Sequence, residues 1–263
     1  MGCAGVGVTV EVSLLTTANS ELIGLVRALA DLERQDLPAH ALIGGVAVMT
    51  RLAQAHRVTL DLDQVLRETV PSTEDMLIAR HAAERVGSHV ELPGGIRLDI
   101  IPTLDRPLGE AELPEDDADR LFVLSHEWAL VTAELVELNV QVVGTAGVAA
   151  SATAPVATTP ALFVAKLQAA QRRPQATLSK RGTDIDDARR LLETVGAAAV
   201  AKGIADGPGD LTVLTAELVN RLMVQDAERS VLWVKQAGAP GASTVAAEDL
   251  RDLGQRLCSQ LAG

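Results

Sequence analysis

Aromatic side chains are nearly absent from this chain. They make up 2% of its 263 residues, with no tyrosine at all, so any core has to be assembled from Leu, Val, Ile and Ala. Cysteine is as scarce. Cys3 and Cys258 stand at opposite ends of the sequence, which excludes a disulfide framework and a cysteine-based zinc site. No apolar run reaches the roughly 18 residues that a membrane span requires. The N-terminal MGCAGVGVTVEV lacks the basic segment and apolar block of a secretory signal, and Val6 stands where a myristoylation site needs Ser or Thr. A cytoplasmic protein with no membrane partner is therefore expected. An excess of positive charge is missing too. The net charge is −12, which argues against general DNA binding over the whole surface and leaves room only for a local basic patch.

What is present is length enough for a sizeable core in one or two domains, and an apolar pattern that changes along the chain. Residues 15 to 36 have helical spacing at Leu22, Leu25, Val26, Leu29 and Leu32, with Asn19 or Ser20 as the cap. ALIGG reads as a short buried strand entering a glycine turn, and residues 46 to 55 as a helix. RVTLDLDQVL alternates like a strand, with Val58, Leu60 and Leu62 on one side and Thr59, Asp61 and Asp63 on the other. STEDMLIARHAAERVG resembles a helix capped by Ser72 or Thr73. SHVELPGGIRLDIIPT reads as two strands around a Pro-Gly-Gly turn. An acidic loop, LGEAELPEDDADR, precedes a helix expected over residues 117 to 137, and NVQVVGTAGV is a further strand. From ATAPVATTP onward the pattern turns helical, with Thr159 as a cap and Pro160 at the first helical position. A small mixed α/β domain over residues 1 to 153 and a helical domain over 154 to 263 are expected.

The chemistry gathers around acidic residues. Asp61 and Asp63 share a strand face, and two carboxylates a few ångströms apart repel by roughly 1–4 kcal/mol. A cation between them relieves that repulsion, and magnesium favours a few carboxylates together with substrate phosphates. Asp99 interrupts the apolar strand IRLDII, an unusual place for a carboxylate unless it is paired or metal-bound. If the strand of Asp99 lies beside that of Asp61 and Asp63, three acids converge. Such a triad suits one or two magnesium ions clamping a triphosphate, one at the attacking oxygen and one at the leaving group. Gly44 and Gly45, ahead of a helix, would offer backbone N–H groups to the phosphates. His40, His81, His89 and His126 show no ligand spacing, and Trp128 and Trp233 fall in apolar helical patterns that mark core.

The segments IGGVAV, HRVTLDLD, RLDII and ALFVAKLQAAQRRPQATLSKRGTDIDDARRLL resemble the nucleotidyltransferase superfamily of the polymerase-beta type. They are similar in particular to its AbiEii/AbiGii toxin branch. The likeness spans roughly residues 40 to 195. It implies an α+β fold in which a nucleotidyltransferase-like mixed sheet flanked by helices is followed by a helical C-terminal part. It also implies roles. Gly44 and Gly45 would line the phosphate turn, and Asp61, Asp63 and Asp99 would bind magnesium, Asp99 also taking the acceptor's proton. Lys166 would contact the triphosphate with Lys180 nearby, Arg172 or Arg173 would follow, and Asp187, paired in the motif with Asp184, would orient these cations. His56 and Arg57 match a basic pair usual before the paired acids.

The activity so implied moves a nucleoside monophosphate from an NTP to an acceptor hydroxyl. With the toxin likeness the acceptor is a tRNA 3′ end, and a cognate antitoxin is the expected partner. Two other readings compete. The same chemistry could modify a small antibiotic-like molecule or a protein, or the fold could persist in a non-catalytic binding protein. A haloacid-dehalogenase-type phosphatase also places such an acid pair after a strand, but DLDQV lacks its usual hydroxyl residue and leaves the glycine pair unexplained.

Overall fold

The computed structural model of the protein describes residues 9–18, 20–174 and 177–263. Asn19, one of the two expected caps, lies outside them. The chain divides into two compact units, the first of residues 1–102 and 133–157 and the second of residues 103–132 and 158–263.

The first unit is built on an eight-stranded mixed sheet. Its strands are β1 (Val10–Thr16), β2 (His40–Ile43), β3 (Asp61–Leu66), β4 (Glu84–Val86), β5 (His89–Leu92), β6 (Ile96–Pro102), β7 (Glu134–Val142) and β8 (Val148–Val156), in the order β1-β7-β8-β2-β3-β6-β5-β4. Helix α1 (Glu21–Glu33) starts where the Ser20 hydroxyl accepts the Leu22 N–H, and lays Leu22, Leu25, Val26, Leu29 and Leu32 into the core. Leu62 and Leu98 are neighbours across β3 and β6 and are fully buried. Alternation then turns Asp61, Asp63 and Asp99 to the opposite face. Helix α2 (Gly44–Leu52) follows β2 without a connecting residue, and Arg51 ties it to the end of β8 through the carbonyls of Val156 and Ala157. Helix α3 (Thr73–Arg80) is capped by Ser72, whose hydroxyl accepts the Asp75 N–H.

Several expected boundaries move, and long-range pairing is the common cause. The strand expected from Arg57 begins only at Asp61, because partners on β2 and β6 start at Asp63 and Asp61 respectively. Val58 and Leu60 consequently stand in solvent, 70% and 64% exposed, while Thr59 between them is buried. The helix expected to reach residue 137 stops at Val131, because Val136, Leu138 and Val140 are drawn into β7 between β1 and β8. Leu15 and Thr16 belong to β1, not to α1, and Glu84–Val86 leaves α3 to pair with β5.

The second unit is helical: α4 (Asp117–Val131), α5 (Thr159–Arg172), α6 (Leu178–Val195), α7 (Ala197–Ala205), α8 (Leu211–Val219), a π-helical turn (Asn220–Gln225), α9 (Ala227–Ala237) and α10 (Ala247–Leu261). The cap of α5 is Thr158, one residue before the expected Thr159, with Pro160 in the first turn. Gly182 in α6 brings that helix onto α9, where a Cβ would fall 2.0 Å from the Trp233 carbonyl oxygen. Trp128 and Trp233 are buried in this unit. None of the described helices is long and apolar enough to cross a membrane.

Candidate functional site

β3 and β6 run parallel as neighbours, with Asp63 opposite Asp99 and Asp61 opposite Arg97. The register places the three carboxylates on one face at one level of the sheet. Each of Asp61, Asp63 and Asp99 offers an oxygen within 4.8 Å of the others, and all three are half-buried. The Thr59 hydroxyl donates to Asp61 Oδ1 at 3.0 Å and fixes the first of them. An all-oxygen set of this kind fits a hard dication that keeps part of its coordination for water or phosphate. The triad could hold such an ion without further protein ligands.

The glycine pair has a steric reason to stand where it does. Ile43 is the register partner of Asp63, so the next residue turns directly over that carboxylate. Gly44 takes φ +70°, and a Cβ on it would fall 1.8 Å from Asp63 Oδ2. At Gly45 a Cβ would meet Thr59 Oγ1 at 2.6 Å and Arg57 Nη2 at 2.8 Å. Gly44 therefore lets backbone lie against Asp63 and Gly45 lets it lie against Thr59 and Arg57, at the start of a helix with no side-chain cap. Arg57 also donates through Nη1 to the Val58 carbonyl at 3.2 Å. His56 is buried, with Nδ1 3.4 Å from the Gln54 carbonyl oxygen.

Arg97 was not singled out in the sequence, although its place two residues before Asp99 on a strand puts it on the same face. Its Nε donates to Asp99 Oδ1 at 2.9 Å and its Nη2 to Asp99 Oδ2 at 2.7 Å, a two-pronged pair. The hydrogen bonding to Asp99 holds the guanidinium pKa above its ordinary value against partial burial, and the fields of Asp99, Asp61 and Asp63 add to it. Thr59 was likewise legible only as a face neighbour of Asp61.

The remaining candidates lie in the second unit. Lys166 on α5 is buried, with Nζ 3.1 Å from Asp184 Oδ1 and 3.0 Å from Asp187 Oδ2. The three-residue spacing on α6 turns both carboxylates to the same helix face. Arg173 Nε donates to Asp184 Oδ2 at 2.9 Å. Asp186 points elsewhere and accepts from Arg189 and Arg190. Lys180 is exposed in the first turn of α6. Arg172 pairs with Asp119 at 2.8 Å and stacks 5.1 Å over Phe122.

The four histidines read as structural or surface groups make no cluster with acids among the described residues that could hold a metal. His126 is buried, and that burial lowers its pKa to about 4 despite the Phe122 carbonyl, with the Arg172 charge adding to the effect, so it packs as a neutral ring. His40 sits 3.0 Å from Glu33. Burial would lower its pKa, but bonds to Glu33 and the Pro38 carbonyl outweigh it and raise the value.

No protein-family model matches the chain, and no curated protein matches it. Among solved structures it is similar to an antigenic nucleotidyltransferase-like protein from Paracoccidioides brasiliensis, at 19% identity over 80% of this chain and 91% of that one, with a TM-score of 0.45. It is also similar to the antibiotic-resistance factor ANT(2'')-Ia in solution, at 17% identity over 71% of this chain and 89% of that one, TM-score 0.39. The crystal structure of ANT(2'')-Ia with adenylyl-2''-tobramycin matches at 17% identity over 76% and 96% of the two chains, TM-score 0.40.

Proposed function

We propose that this protein is a magnesium-dependent nucleotidyltransferase that moves a nucleoside monophosphate from an NTP to an acceptor hydroxyl and releases pyrophosphate. The observation that carries this reading is the convergence of Asp61, Asp63 and Asp99 on adjacent parallel strands within 4.8 Å. Carboxylates gathered this closely repel one another, and a dication with a polyphosphate offsets that repulsion. The glycine pair supports the same reading, because its missing side chains leave the start of α2 beside Asp63.

Asp61, Asp63 and Asp99 would hold the ion. When bound, magnesium supplies neutralisation of the triphosphate charge and fixes the α-phosphate for in-line displacement. The Thr59 hydroxyl keeps Asp61 aimed, and the first N–H groups of α2 take phosphate oxygens. Asp99 accepts the proton of the acceptor hydroxyl. The acceptor oxygen then bonds to the α-phosphorus as the bond to the bridging oxygen breaks, and pyrophosphate leaves with that electron pair.

The resemblance to the AbiEii/AbiGii branch supports a finer reading, in which the acceptor is a tRNA 3′ end and the protein is a cytoplasmic bacterial toxin restrained by an antitoxin. One assay tests both levels. Incubation with α-labelled NTPs, magnesium and total tRNA is expected to label tRNA at its 3′ end, and EDTA to prevent it. Label on a small molecule or a protein instead of tRNA would replace the finer reading and keep the chemistry. No transfer to any acceptor would overturn both.

A further inference from the structure

We propose that Arg97 is a positioning residue that clamps Asp99 until a divalent cation enters the triad, and that the cation must displace its guanidinium to gain the third carboxylate. The inference rests on the metal-binding reading of Asp61, Asp63 and Asp99. Its basis is the two-pronged bond in which Nε and Nη2 take Oδ1 and Oδ2 of Asp99 at 2.9 and 2.7 Å. Two parallel N–H bonds occupy the edge of the carboxylate between its oxygens, the edge an incoming cation would share.

Exposure fits exchange rather than permanent pairing. The side chains of Arg97 and Asp99 are 40% and 23% exposed, so water can solvate the guanidinium as it leaves. Register places Arg97 directly across from Asp61, where a displaced guanidinium would still face the charge of the site. A permanent structural pair would be enclosed, as Lys166 is with Asp184 and Asp187.

The test is Mn²⁺ binding by the full chain without nucleotide, followed calorimetrically or by the free-ion resonance signal. Removing a unit positive charge a few ångströms from the ion is expected to tighten binding about tenfold in Arg97→Met. Arg97→Lys keeps the charge and loses the fork, and is expected to bind about threefold more tightly than wild type. Circular dichroism verifies that each variant is folded, and the exposed lysine variant carries the comparison should the methionine variant not fold. Affinity of Arg97→Lys equal to wild type would overturn the clamp, because charge alone would then set the affinity. Unchanged affinity in both variants would overturn it too. Absence of Mn²⁺ binding in wild type and both variants alike is a different failure, that of the metal reading underneath.

Discussion

Asp63→Asn is expected to fold normally and to lose nucleotidyl transfer by a factor of about a thousand or more. The size follows from the several kcal/mol of charge stabilisation that a carboxylate-held ion gives a phosphoryl centre, at about 1.4 kcal/mol for each factor of ten. Asparagine keeps the shape that packs under Gly44, so the backbone turn over position 63 has no reason to shift. Loss of activity with retained stability separates a site residue from a structural one. Transfer within tenfold of wild type would remove Asp63 from the mechanism.

The opposite pattern is expected at Lys166. Lys166→Met would strip the ammonium from between two carboxylates, of which Asp184 is 3% exposed and Asp187 wholly buried. Breaking a buried pair by removing one partner costs about 3–5 kcal/mol, because a charge is left in the interior. That corresponds to a melting midpoint lower by about 10 °C in a protein of this size. Asp184 keeps Arg173, and Asp187 loses the ammonium that stands 3.0 Å from it. The double variant Lys166→Met with Asp187→Asn removes both charges and is expected to recover most of the loss, measured as a double-mutant cycle of thermal unfolding. Unchanged stability in the single variant would show that Lys166 is no internal counter-ion of α6.

How much of this was legible depended on how local the signal was. Alternation alone puts Asp61 and Asp63 on one face, and a single carboxylate inside IRLDII marks Asp99, but only strand pairing brings β6 beside β3. The glycine pair was readable as a turn before a helix. Its reason, the carboxylate of Asp63 lying where a Cβ would go, belongs to tertiary structure. Arg97 escaped notice because a basic residue in a strand next to an acid looks like solvated surface until the register places it across from Asp61. Lys166, Asp184 and Asp187 were singled out in the sequence by resemblance alone, and the structure adds that they pair with each other inside the helical unit. Boundaries failed where sheet pairing overrode helical spacing, as at residues 134–137, which read as the end of a helix until β1 and β8 claim them for β7.

A cation shared by carboxylates from two neighbouring strands is the centre of the proposed chemistry. Crystals grown with Mn²⁺ and a non-hydrolysable NTP analogue measure this directly through anomalous scattering. A peak at about 2.0–2.3 Å from oxygens of Asp61 and Asp63, with triphosphate oxygens completing its shell, is the result expected. Nucleotide bound elsewhere, or a triad that stays free of metal at saturating Mn²⁺, would contradict it.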